Sequence, residues 1–171
     1  IFEETKTPFA VTFGNHDHDL EDKVSIKEMA DVFLEYEYCV NGTDGCDPGT
    51  YNIPILSSDG SKVALNVYMM DTNNKNKEVG GYQGVYPNQV EWYKAKSDEL
   101  KAANGGQVVP SLVFQHIPTK EIYQLLVEVD KTEANTAIYR GDDKKWYKLR
   151  EDVIIDSGKG LGEAPCPENL D

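Results

Sequence analysis

Phe9-Ala10-Val11-Thr12-Phe13-Gly14-Asn15-His16-Asp17-His18-Asp19 is the stretch whose reading decides the fold. Its first half alternates bulky and small side chains and reads as a buried strand. It runs directly into a polar loop that carries histidine and carboxylate. A loop of this kind at a strand end is a common place for chemistry, because the sheet holds it rigidly while substrate and water still reach it.

The segments beyond it repeat that arrangement. Ser25 followed three residues on by Glu28 makes a capping box, in which each side chain satisfies a free backbone donor, so a helix starts there. Ile26, Met29, Phe33 and Leu34 form its apolar stripe, which reads as core. Tyr51-Asn52-Ile53-Pro54-Ile55 is a short strand, Asp59-Gly60 a turn, and residues 62–70 a strong strand, together a hairpin. The second strand ends at Asp71-Thr72, again with a carboxylate at the terminus. A polar loop covers residues 73–86 and is a candidate for shaping substrate choice. Asn88 and Glu91 mark a helix that runs to about Ala103, where Asn104-Gly105-Gly106 supplies the positive φ of a C-cap. Residues 108–114 form a further strand, which delivers Gln115-His116-Ile117-Pro118, and Thr119 opens a helix to roughly Val129. Residues 137–139 and 153–155 read as short strands or loop anchors, and residues 158–171 show no periodicity. Strands alternating with helices, and ending in polar clusters, indicate an α/β fold with a site at one edge of the sheet.

Composition narrows the function. With 39% hydrophobic residues in 171, the chain is large and apolar enough for one folded domain. Asp and Glu total 30 against 17 Lys and Arg, a net charge of -13, which argues against a nucleic-acid backbone as partner. The same charge repels a phosphate ester unless bound cations reverse the local field. The basic run Lys144-Lys145-Trp146-Tyr147-Lys148-Leu149-Arg150 reads as a solvated strand or turn. No apolar run reaches the roughly eighteen residues of a membrane span. No basic-plus-apolar leader stands at the start. The first residue is Ile1, so either a segment was removed or the chain begins inside a longer protein, and the compartment stays open. Cys39, Cys46 and Cys166 form no zinc or disulfide pattern. Cys39 and Cys46 flank a turn-rich stretch and are either bridged or free.

Gly14-Asn15-His16-Asp17 after a buried strand resembles the signature of calcineurin-like metallophosphoesterases, which include the purple acid phosphatases. Asp71-Thr72, Gln89-Val90-Glu91-Trp92-Tyr93 and Phe114-Gln115-His116-Ile117-Pro118 follow in the order such enzymes use. The likeness covers roughly residues 8–130 and is nearest to a branch related to the purple acid phosphatases. It implies a metallophosphoesterase-type β-sandwich flanked by helices and a dinuclear site holding two divalent or trivalent ions, Mn, Fe or Zn. It also implies residue roles. Asn15 and His116 would be ligands of one metal. His16 would be the catalytic residue that bonds the phosphate and steadies the leaving oxygen. Asp17 and Asp71 would lie behind the ligands. A phosphate ester would be the substrate, and bound metals would resolve the charge problem.

The sequence also departs from that family. No Asp is followed two residues on by His. No Gly-Asp-x-x-Asp/Asn stands upstream of Asn15: Gly141-Asp142-Asp143 has Lys145 in the last position and falls on the wrong side of His116. A closing Gly-His-x-His is missing. The expectation is therefore a single, incomplete metallophosphoesterase domain over residues 1–171, its middle segment, inactive alone. The competing readings are a non-catalytic binding or scaffold module descended from such an enzyme, and a mononuclear site of His16, His18 and His116. His18 and Asp19 either assist at the metal or face solvent as turn residues.

Overall fold

The computed structural model describes residues 1–76, 81–130, 138–140 and 145–152. The chain is a mixed α/β protein. Its central sheet has three strands in the order β1-β2-β5: β1 (Tyr51–Leu56), β2 (Val63–Met70) and β5 (Ser111–Gln115). β1 and β2 form the antiparallel hairpin, with Tyr51 opposite Met69 and Ile55 opposite Leu65. Asp59 builds its turn by accepting from Ser57 Oγ and from the Ser61 N–H and Oγ, and Gly60 takes the positive φ, 70°, that lets the chain reverse.

β5 returns parallel to β2, with Met70 opposite Gln115. A parallel neighbour needs a crossover, and α3 (Pro87–Ala103) supplies it. Proline at its first position fits the helix start, one residue ahead of the Asn88 expectation. At its far end the Gly106 N–H bonds the Lys101 carbonyl at 2.9 Å and the Gly105 N–H bonds that of Ala102 at 3.3 Å, both glycines with positive φ. That double bond closes the last turn. Leu100 packs with Tyr68 and Val109, flanked by Trp92 and Val63, so α3 covers one face of β2. α2 (Ile26–Leu34) begins with the expected capping box and packs Ile26, Ala30, Met29 and Phe33 against Phe13 and Val11. Leu34 is 43% exposed and lies outside that stripe; Ala30 takes its place.

Three sequence expectations change. Residues 9–13 form no strand of the sheet. Phe9 makes one parallel bridge to Cys39. Val11 is then held by side chains: its N–H donates to Asn41 Oδ1 at 2.8 Å, and its carbonyl accepts from the buried Tyr51 hydroxyl at 2.6 Å. Side-chain groups take the bonds a ladder would have made. The helix expected over 119–129 is instead a 3-10 turn over Lys120–Leu125 followed by β6 (Leu126–Val129). Ile122, Leu125, Leu126 and Val129 have helical spacing, but Val127 and Val129 favour a pleated strand, and β6 pairs antiparallel with β8 (Lys145–Leu149). β7 (Ile138–Arg140) lies on the other side of β8, so the basic run is a strand of a second sheet. Finally, the polar loop of residues 73–86 contains the short strands β3 (Lys75–Asn76) and β4 (Gly81–Tyr82), paired with each other. A short α1 (Phe2–Thr5) precedes all of these.

Cys39 and Cys46 are free thiols, and burial pushes the Cys46 thiol up to about 12. Cys166, residues 153–155 and residues 158–171 lie outside the described residues. Among the described residues, no helix is long and apolar enough to cross a membrane.

Candidate functional site

The end of β2 gathers the segments that the sequence singled out. The Thr72 N–H reaches the Phe13 carbonyl at 3.5 Å, and Thr72 Oγ1 accepts from the Ile117 N–H at 3.3 Å. One residue thus joins the chain before Gly14 to the chain after His116. Gly14 lies directly against His116: a Cβ on Gly14 would fall 2.3 Å from Cδ2, 2.6 Å from Cγ and 2.9 Å from Cβ of that histidine. Glycine is required there for space. Gly49 does the same between Phe13 and Asp71, each with an atom 2.8 Å from where its Cβ would be.

The clash at Gly14 reaches back to the histidine's own Cβ, so a small ring rotation cannot relieve it. Gly14→Ala is therefore expected to displace His116 and to cost about 1–3 kcal/mol, the usual range for overpacking. Urea denaturation, with the His116 ring resonances followed by NMR, checks this. An unchanged midpoint and unchanged ring shifts would mean that the two segments are not in contact.

The turn after Gly14 is organised locally. The Gly14 N–H donates to Asp17 Oδ2 at 2.8 Å, and the Asp17 N–H returns to the Gly14 carbonyl at 3.1 Å. Asp17 is thus occupied in closing the turn and in starting a 3-10 turn over Asp17–Leu20. Asn15 sits inside it, 2% exposed. His16 points outward, its side chain 78% exposed, with Nδ1 2.6 Å from Asp19 Oδ2. His116 is exposed.

His18 is where the sequence reading fails. In place of a solvent-facing turn residue it is buried, with Nε2 3.1 and 3.0 Å from the two oxygens of Asp71 and Nδ1 3.1 Å from Glu21 Oε2. The bond to Asp71 outweighs the opposing effect of burial and, with Glu21, raises the His18 pKa to about 9. Asp71 lies close to the loop as expected, but its partners are His18 and the Asn73 N–H, 2.7 Å from Oδ1. Both imidazole nitrogens of His18 face carboxylates, which leaves it no lone pair to share in a mononuclear site with His16 and His116.

Gln89 is the second residue that reading by motif undervalued. The Gln89-Val90-Glu91-Trp92-Tyr93 motif places it only on a helix. It is 1% exposed, and its amide binds Thr50 Oγ1, the Asp71 carbonyl, the Tyr86 N–H and the Asn73 side chain. A buried amide at a helix start is the signal that could have found it, since such a group must be bonded on both ends.

An apolar cavity of about 280 Å³ lies elsewhere, between α3 and the β2–β5 pair, with Met70, Val85, Val90 and Tyr93 in its wall; none of Asn15, His16, Asp17, Asp71 or His116 lines it. The chain matches no family model, no curated protein and no solved structure.

Asn15 and His116 suit part of a metal site. The Asn15 amide offers an oxygen donor, and the exposed imidazole of His116, packed against the neighbouring Gly14, offers nitrogen. They do not make a whole one: among the described residues no group of three or more His, Cys, Asp or Glu is placed to hold an ion.

Proposed function

We propose that this chain is part of a metal-dependent phosphoester hydrolase of the calcineurin-like type, a phosphatase or phosphodiesterase. The observation that carries the reading is the packing of Gly14 against the His116 ring. It joins two segments that are distant in sequence and that each resemble a family motif, and it does so at one end of a sheet next to the buried residue Asn15. The β-sandwich of that family belongs to the same proposal.

In this reading Asn15 Oδ1 and a nitrogen of His116 hold one of two Mn, Fe or Zn ions, and the remaining donors come from residues outside these 171. Bound metals would supply Lewis acidity and offset the charge of the phosphate ester, which the chain's own -13 would otherwise repel. His16 does the proton work. Asp19 holds Nδ1, which fixes the ring and leaves Nε2 free toward solvent, where it can bond the phosphate and protonate the leaving oxygen. The competing reading, a non-catalytic binding or scaffold module, draws on the incomplete donor set.

Activity separates them. The 171-residue chain should hydrolyse p-nitrophenyl phosphate no faster than buffer with metal. A longer protein that adds Asp-x-His and Gly-Asp-x-x-Asp upstream should turn over with Mn, Fe or Zn. In it His116→Ala should lower metal occupancy, whereas His16→Ala should keep the metals and slow turnover about 10²-fold or more. Robust metal-dependent turnover by the chain alone would overturn the claim of incompleteness. A longer protein indifferent to both substitutions would overturn the site.

A further inference from the structure

We propose that His18 is a positioning residue: by bonding Asp71 through Nε2 it fixes the Gly14–His16 turn on the end of β2, and so holds the turn that carries Asn15 and His16 where Gly14 meets His116. The role rests on the phosphoesterase reading for what the turn does, but not for how the turn is held.

Three partners converge on this one residue. Nε2 meets both oxygens of Asp71 at 3.1 and 3.0 Å, Nδ1 meets Glu21 at 3.1 Å, and the His18 carbonyl accepts from Asn74 Nδ2 at 3.2 Å. Ionised carboxylates only accept, so both ring nitrogens must carry hydrogen and the ring is a cation. A doubly bonded imidazolium is neither a base nor a metal ligand; its remaining capacity is to orient. The side chains of the pair are 8% and 3% exposed, so neither charge can turn to water if the other is lost. Asp71 is itself fixed at the strand end by the Asn73 N–H and by the Thr50 hydroxyl, which accepts from the Asp71 N–H. The bond therefore runs from a strand end to a turn that is also tied by the internal Gly14–Asp17 bonds, the long contact between Phe13 and Thr72 and the packing of Gly14 on His116, and it is the one tie among these that pairs buried charges. Among the described residues the charged groups on His18 are Asp71, the residue after β2, and Glu21, the residue after its own 3-10 turn.

The two possible amide replacements read this geometry. A glutamine at position 18 places its amide nitrogen where Nε2 was and keeps the donor to Asp71. An asparagine reaches only the Nδ1 position and loses it. Hydrogen exchange of the Gly14, Asn15 and His16 amides in the full chain is the readout, with α3 amides as internal reference. His18→Asn should speed exchange at those three amides on the order of 10-fold or more relative to α3, and His18→Gln should restore most of the protection. In the unsubstituted chain, nitrogen-15 spectra should show both His18 nitrogens protonated at pH 7.5. Equal exchange in the Gln and Asn variants, or a His18 ring with one bare nitrogen at that pH, would overturn the proposal. Turnover in the longer protein tests the phosphoesterase reading separately, so either claim can fail without the other.

Discussion

Gln89→Met is expected to lower the stability of the folded chain by about 2–4 kcal/mol, the sum of four bonds at about 0.5–1 kcal/mol each, two of them to buried partners. Methionine matches glutamine in length and volume, so packing changes little and the loss is polar. The groups that lose a bond are the Thr50 hydroxyl, the Asp71 carbonyl, the Tyr86 N–H and the Asn73 amide; Thr50 keeps the Asp71 N–H and Asn73 keeps the Gly84 carbonyl. Thr50 is fully buried and Asp71 is 2% exposed, so water cannot replace the missing bonds without opening the end of β2. The measurement is the urea midpoint at constant slope. A loss under about 1 kcal/mol would show that Gln89 holds nothing together, since that is the worth of a single bond.

Between pH 6.5 and about 9 the chain should lose stability on the order of 3 kcal/mol through His18 alone. The folded pKa lies above the ordinary value of 6.5, so the contribution is complete below 6.5 and disappears as pH rises through about 9. The physical cause is that the Asp71 and Glu21 carboxylates lose their cation, leaving Asp71 a buried charge without a counter-ion. Other described groups act at higher pH: burial raises the Cys46 thiol from 9.0 to about 12 and pushes the Tyr51 and Tyr68 hydroxyls above their ordinary 10.0, and Glu99 raises Lys96 above 10.5. The window below pH 9 therefore isolates the histidine. Chemical denaturation at intervals across it gives the slope, and His18→Gln should flatten it. A native chain whose stability is level from pH 6.5 to 9 would contradict the buried ion pair.

What the sequence made legible was local. The capping box of Ser25 and Glu28, the turn at Asp59-Gly60 and the glycine stop after Ala103 all involve residues within a few positions, and all three stand in the structure. The candidate segments around Asn15 and His116 were also visible, because their residue types are scarce and chemically pointed. The ties that position them were not. His18 sits in a run of acidic residues, Asp17 to Asp22, that has the composition of a solvated turn, and it is buried because Asp71 arrives from 53 positions away. The segment after Thr119 failed for a related reason: its apolar spacing suits a helix, but the partner strand at residues 145–149 captures it. Residues 9–13 alternate like a strand, yet the Tyr51 hydroxyl and Asn41 satisfy Val11 in place of a neighbouring strand.

The joining of Phe13 to Thr72 and of His18 to Asp71 has a meaning in chain entropy. Each contact closes a loop of more than fifty residues, but they are nearly the same loop: once one has formed, the other encloses only a few additional positions. Closure cost depends on the length still open, so the two share one cost between them. Opening either bond alone returns little freedom to the chain. The segment from Phe13 to His18 and the end of β2 therefore part together or not at all, and the turn carrying Asn15 and His16 behaves as one cooperative unit with the strand that anchors it.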